Sequence, residues 1–175
     1  MANYAVVRTD NMFGTDNREG LVSIKYIVTT GEGASAVDTP TAIQNGNVLK
    51  VGPLMSGERE IYKGVAPAAN DDIRDIVLIA SPEVMYDEHK HNLDEFINPA
   101  GKAARGYWLH PHSIFSVTKA ALDGKETPAV GDIVELKAGT KLNVAASLTS
   151  GSTQVGEIIA VDVVGRYTFY AIRVC

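Results

Sequence analysis

The histidines of this chain are the residues whose type and spacing first suggest chemistry. The four histidines form two pairs with one residue between partners, His89 with His91 and His110 with His112. On a β-strand, residues two apart point to the same side, so such pairs could supply imidazole ligands to zinc or nickel. In a helix or loop, where we place the first pair, residues two apart diverge by about 200°. We therefore expect no metal or other cofactor and keep these histidines as weak ligand candidates.

Motifs for nucleophilic or nucleotide chemistry are missing from the sequence. No G-x-S-x-G elbow occurs, and Cys175, the single cysteine, has no neighbouring motif that would activate its thiol. The glycines at positions 31 and 33 lie in a polar loop without the following helix that a phosphate cradle needs. Acidic pairs such as Asp71 and Asp72 are typical of exposed turns. We therefore predict that the protein is not an enzyme.

Composition and charge narrow the class of partner. A chain of 175 residues with 45% hydrophobic and 21% charged residues fits one globular domain. Its net charge is -5 and its 16 basic residues are scattered, which argues against direct contact with nucleic acid. The first residues contain no signal-like segment, and no apolar run approaches the roughly 20 residues of a membrane helix. We expect no membrane contact.

Short strand patterns separated by Gly, Pro and Ser turns predict a mainly β fold, either a small β-barrel or a β-sandwich. The run at 21–30 is rich in β-branched and aromatic residues. Asn45-Gly46 predicts a type I′ hairpin turn. Further strands are predicted at 113–117, 132–136, 141–145, 155–164 and 167–174. A single β-rich domain over 21–175 follows.

Residues 1–20 are polar and turn-prone apart from a short apolar stretch, which predicts an extended N-terminal arm. Arms of this kind often find their partner on another subunit. We therefore assign the larger apolar side chains of the arm to an interface: Tyr4, Val6, Met12 and Phe13.

The segment at about 81–112 differs from its surroundings and predicts a short helical or irregular insertion between β portions. Ser81 and Pro82 fit the start of a helix, and apolar residues near position 95 recur at helical spacing. Tyr, Trp and Arg are enriched among the anchors of protein interfaces. Three residues in the Gly-rich end of the insertion are therefore interface candidates: Arg105, Tyr107 and Trp108.

A weak internal echo links 45–52 (NGNVLKVG) with 130–136 (VGDIVEL). Each stretch has a turn glycine, then a polar residue, then a strand. Because hairpins converge on such patterns, we interpret the echo as convergence rather than as duplication.

The stretches 81–118 and 128–164 give the chain a resemblance to small structural proteins of tailed bacteriophages and prophages. The nearest family is that of head decoration, or capsid cement, proteins, and the resemblance extends over 21–175. It implies a β-rich fold that binds the outside of an assembled shell and reinforces it. It also implies the major capsid protein as a partner, self-association, often as trimers, and docking through the arm. The expected location is the capsid surface of a virion, after synthesis in the bacterial cytoplasm.

Other functions stay open beside this one. The chain could instead be a tail, baseplate or connector component of the same particle. A carbohydrate-binding module would use Tyr107 and Trp108 as a platform on which sugar rings stack. A metal-dependent enzyme would be built on the histidine pairs.

Overall fold

The computed structural model describes residues 4–8, 20–31 and 33–175. It is mainly β, as predicted, with 45% of residues in strands and helix limited to single 3-10 turns in the described part. In those same ranges, no helix is long and apolar enough to cross a membrane. The strands are β1 (Leu21–Thr30), β2 (Val37–Pro40), β3 (Val48–Leu54), β4 (Ile61–Val65), β5 (Ile76–Ile79), β6 (Ala104–Trp108), β7 (Ile114–Thr118), β8 (Leu122–Gly124), β9 (Ile133–Glu135), β10 (Leu142–Ala145), β11 (Gln154–Val164) and β12 (Tyr167–Val174).

The first sheet closes into a five-stranded barrel. Its strands follow the order β1-β4-β3-β5-β6, and β1 returns to pair antiparallel with β6 while it runs parallel to β4. β2 extends the far end of β1. Alternate residues point inward, and Ile24, Leu49, Val77 and Ile79 fill the barrel. A Cβ at Gly64 would lie 2.8 Å from Ile24 and Leu49, so the narrow interior requires glycine there.

The second sheet has the order β7-β12-β11-β9-β10-β8 and forms an open half-barrel. Its pairings repeat those of the barrel. β9 lies between β10 and β11 as β3 lies between β4 and β5, and β12 pairs with β7 as β6 pairs with β1. The parallel pair β1–β4 has its counterpart in β8–β10. The two sheets are therefore two units of one topology.

The sequence echo falls on the same turn in both units. Gly46 and Gly131 precede β3 and β9, with φ of 83° and 89°. The Gly46 amide donates to the Ile79 carbonyl at 2.7 Å, and the Gly131 amide donates to the Ile158 carbonyl at 2.8 Å. Each isoleucine amide donates back to the residue after the glycine, at 2.8 and 3.0 Å. The two glycines therefore occupy equivalent places in the repeated topology.

The predicted type I′ hairpin at Asn45-Gly46 is not formed. Such a turn needs positive φ at both central residues, and of the two only Gly46 has it. The turn leads instead from a single bridge between Ile43 and Asn98 into β3.

The outer face of the barrel covers the open side of the half-barrel. The residues of β3 and β5 that point away from the barrel, Val48, Ile76 and Leu78, are buried in the same core as Val134 and Ile158. This shared core is larger than the core inside the barrel. The two units therefore fold against each other as one domain.

The described part of the predicted arm packs on this chain. Val7 forms an antiparallel bridge with Val117, and the Thr118 amide donates to the Val6 carbonyl at 3.0 Å. Ala5, Val6 and Val7 are all buried. Val6, which we assigned to an interface with another subunit, is instead buried within its own chain. Met12 and Phe13 lie outside the described residues.

The insertion is irregular rather than helical. It contains a single 3-10 turn, Leu93–Glu95, and no α-helix begins at Ser81. It is also shorter than the predicted 81–112, because Ala104–Trp108 is strand β6, which closes the barrel.

Candidate docking surface

The structure does not gather the histidines into a site. His89 and His91 are exposed in the insertion, and His110 and His112 are exposed in the turn between β6 and β7. Across residues 4–8, 20–31 and 33–175, no three His, Cys, Asp or Glu side chains are close enough to hold a metal ion.

The aromatic candidates on β6 point in opposite directions. Tyr107 packs against the shared core, whereas Trp108 packs against the barrel core. This follows from the alternation of side chains along a strand. Arg105 is exposed, and its amide donates to the Ser81 hydroxyl at 2.9 Å. Tyr107 and Trp108 therefore do not form a two-ring platform for sugars.

Asn45 fixes both ends of the insertion. Its side-chain amide donates to the Ser81 carbonyl at 2.8 Å, and its side-chain oxygen accepts from the Ser81 amide at 3.0 Å. The same oxygen accepts from Nδ2 of Asn98 at 3.0 Å. Asn45 is only 1% exposed, so these bonds are shielded from water and hard to replace. The prediction of a hairpin at Asn45 missed this bridging role.

Asp94 ties the middle of the insertion to the rest of the chain. Its buried carboxylate forms an ion pair with Arg166 and accepts from the Tyr167 hydroxyl at 3.0 Å. Its carbonyl accepts from the Tyr4 amide at 2.8 Å. The β11–β12 hairpin and the N-terminal segment therefore hold the insertion from two sides.

Glu95 closes the adjacent turn of the insertion. The amides of Asn92 and His91 each donate to its carboxylate at 3.0 Å. These donations lower the pKa of Glu95, first through Asn92 and then through His91, although burial raises it. The ionised carboxylate at neutral pH thus keeps two backbone donors satisfied.

Between these anchored points, the insertion presents apolar side chains to solvent. Val84, Tyr86 and Leu93 are exposed, Tyr86 to 95%, and we call these three residues the insertion surface. Beside Val84 and Tyr86 lies a groove of about 560 Å³. Exposed apolar residues beside a groove are a candidate binding surface. The groove is lined by Ser81, Pro82, Val84, Met85, Tyr86, Asp87, Lys90, Glu95, Phe96, Ile97, Asn98, Pro99, Lys102 and Ala103.

A second groove, of about 390 Å³, is lined in part by Leu93. Phe169 and Val164 of the β11–β12 hairpin line it together with Val7 and Arg8. The Arg8 guanidinium sits 5.7 Å from the centre of the Phe169 ring. Val84 and Tyr86 thus line the first groove and Leu93 lines the second.

Comparison with known proteins adds no relative. No protein-family model, curated protein or solved structure matches the chain.

Proposed function

We propose that the protein is a virion structural protein, a decoration or cement protein that binds the outer surface of a bacteriophage capsid and stabilises it. Its partner in this proposal is the major capsid protein. The observation that carries the proposal is the insertion surface. Its apolar residues are exposed to solvent on a segment that Asn45 and Asp94 hold in place. The sequence resemblance supplies the identity of the partner.

Anchoring makes the insertion surface suitable for docking. A flexible loop would lose conformational freedom on binding, at about 0.5–1.5 kcal/mol for each immobilised side chain. Asn45 and Asp94 already restrict the insertion before any partner arrives. Burying Val84, Tyr86 and Leu93 then contributes about 25 cal/mol for each Å² of apolar surface removed from water. The charged residues at the groove add selectivity rather than strength.

Binding of this kind is sufficient to reinforce a shell. A ligand that binds the assembled state, but not the separate subunits, shifts the equilibrium toward assembly by mass action. A shell presents the same site many times, so modest stabilisation at each site adds up over the particle. The chain needs no catalytic group for this role.

The test is cosedimentation of the purified protein with phage heads, using Val84→Asp and Tyr86→Asp as variants. We expect saturable binding by the wild type and at least about tenfold weaker binding by each variant, because a buried unpaired carboxylate costs several kcal/mol. Val37→Asp is the matched control, because Val37 and Val84 are both 59% exposed but Val37 lies on β2, outside the insertion. The control should bind like the wild type.

Point variants are preferable to removal of residues 1–19, because Ala5, Val6 and Val7 are part of the core. Absence of binding to any form of head would overturn the proposal. Binding to purified tails or baseplates but not to heads would overturn it in favour of a tail, baseplate or connector role. Binding to host cell-wall glycans alone would favour a carbohydrate-binding module.

A further inference from the structure

β11 has a free edge over its second half. Its other neighbour, β9, pairs with it from Gln154 to Glu157, and the last bonds on that side are made by Ile158. From 159 to 164, β11 pairs with β12 alone among the strands of the described chain. We call residues 159–164 the free edge. Backbone donors and acceptors along such an edge are a template for another strand.

The free edge has a register shift between Ile158 and Ala160, typical of a β-bulge, at its start and little other protection. Its sequence, IAVDVV, contains no Lys or Pro and a single charge, and Val163 is 74% exposed. The edge strand β2 is different, because it ends at Pro40 and carries Asp38, which accepts from Lys63 at 2.7 Å. Charge and proline discourage strand addition at β2. Beyond its bulge, the free edge of β11 has neither a lysine nor a proline.

We propose that the free edges of two copies of this chain pair antiparallel about a two-fold axis and form a dimer with one continuous sheet. A two-fold interface uses the same patch on both copies, so the patch must complement itself. Placing Val161 opposite Val161 of the other copy puts Asp162 opposite Ala160 and Val163 opposite Ile159. A shift of one residue would place Asp162 against Asp162, which like-charge repulsion disfavours.

The pairing cannot extend beyond the free edge at its base. The Gly131 amide donates to the Ile158 carbonyl at 2.8 Å, and the Ile158 amide donates to the Asp132 carbonyl at 3.0 Å, so the position beside Ile158 is already occupied. The proposed pairing therefore runs from 159 to 163, and Val164 of the other copy must turn away from residues 131 and 132.

This dimer goes beyond the proposed function, because it concerns the free protein and its test involves no capsid. It also differs from the trimer that the family resemblance implies. Sedimentation equilibrium over a range of concentrations should show the wild type reaching twice the chain mass of 18.7 kDa. Val163→Lys should weaken dimerisation by on the order of tenfold or more, because it places a lysine on the edge. The matched control Val37→Lys should dimerise like the wild type.

Cysteine cross-linking tests the register. In a Cys175→Ser background, Val161→Cys should form a disulfide-linked dimer on oxidation, because residues directly opposite lie within disulfide reach. Val163→Cys should not, because its counterpart is four residues away along the other strand. A monomer at all concentrations, a trimer, unchanged dimerisation of Val163→Lys, or equal cross-linking of the two cysteine variants would overturn the proposal.

Discussion

The barrel and the half-barrel share one pairing scheme, yet only the barrel closes. In the barrel, β1 runs unbroken from Leu21 to Thr30, and Ser23 and Ile24 pair with both β6 and β4. In the half-barrel, the corresponding chain is interrupted by the 3-10 turn Lys119–Ala121, so β7 reaches β12 and β8 reaches β10. In these two units, therefore, closure accompanies the continuity of one strand.

Closure also determines where each unit finds its core. The barrel encloses its own small core, whereas the core of the half-barrel is completed by residues on the outer face of β3 and β5. Val48, Ile76 and Leu78 thus belong to the wall of one unit and to the core of the other. The two units should therefore unfold together, although their topologies are separate.

Among the predicted changes, Leu78→Ala should have the largest effect on the free energy of unfolding of the two packed units. Leu78 is buried in the shared core, and truncation there should lower the free energy of unfolding by about 2–5 kcal/mol. Leu54→Ala is the matched control, because Leu54 is exposed at the end of β3 and should cost less than about 1 kcal/mol. Urea unfolding should be followed by Trp108 fluorescence and by far-UV circular dichroism. Separate transitions for the two signals would show that the units unfold independently.

The next largest difference is expected between alanine substitutions at the two equivalent glycines, one in each unit. Both Gly46→Ala and Gly131→Ala force a side chain into positive φ, at about 1–2 kcal/mol. A Cβ at Gly46 would also lie 2.9 Å from the Ala121 Cβ, whereas nothing lies within 4 Å at Gly131. We expect Gly46→Ala to destabilise the protein by about 1–3 kcal/mol more than Gly131→Ala in urea titrations. Equal losses of stability in the two variants would contradict this prediction, because they would mean that the contact with Ala121 relaxes without cost.

The smallest predicted effects on stability are those of substitutions at Glu135 and Lys50. Each of these residues lies four positions after the turn glycine of its unit. Burial raises the pKa of Glu135, but donations from the hydroxyl and amide of Thr149 and from Asn143 outweigh it, so the pKa lies below its ordinary value of 4.5. The stabilisation is therefore present above that value and is lost as pH falls through the lowered pKa.

Glu135→Gln should accordingly destabilise the protein by about 1–3 kcal/mol at pH 7 and flatten the loss of stability in acid. Lys50→Met should cost at most about 1 kcal/mol, because its ion pair with Asp71 is partly exposed. The midpoints of urea unfolding, measured for both variants and the wild type from pH 7 to pH 3, test these two predictions. An acid limb as steep in Glu135→Gln as in the wild type would contradict this role of the carboxylate.

Local patterns predicted the strands well. The stretches 21–30, 155–164 and 167–174 were assigned from β-branched and aromatic residues, and the structure has β1, β11 and β12 there within one residue at each end. The closure of the barrel was not predictable in this way, because β1 pairs with β6, which lies far along the chain. Local spacing predicted a helix that begins at Ser81. In the structure, the backbone amide and carbonyl of Ser81 bond instead to the side chain of Asn45, which is distant in sequence.

The candidate surface was harder to predict than the fold. Residue type selected Tyr107 and Trp108, but alternation along β6 turns them into two different cores. Tyr86 lies outside every predicted strand, in a segment that Asn45 and Asp94 attach to the rest of the chain. Tethers between distant residues leave no local signal in the sequence.

Heating of filled phage heads, with release of DNA as the signal, tests most directly whether the protein reinforces a shell through the insertion surface. Heads stripped of the protein are compared before and after adding back the wild type, Tyr86→Asp or Val37→Asp. The account predicts that the wild type and Val37→Asp raise the release temperature and that Tyr86→Asp does not. Release at the same temperature with and without bound wild-type protein would contradict it.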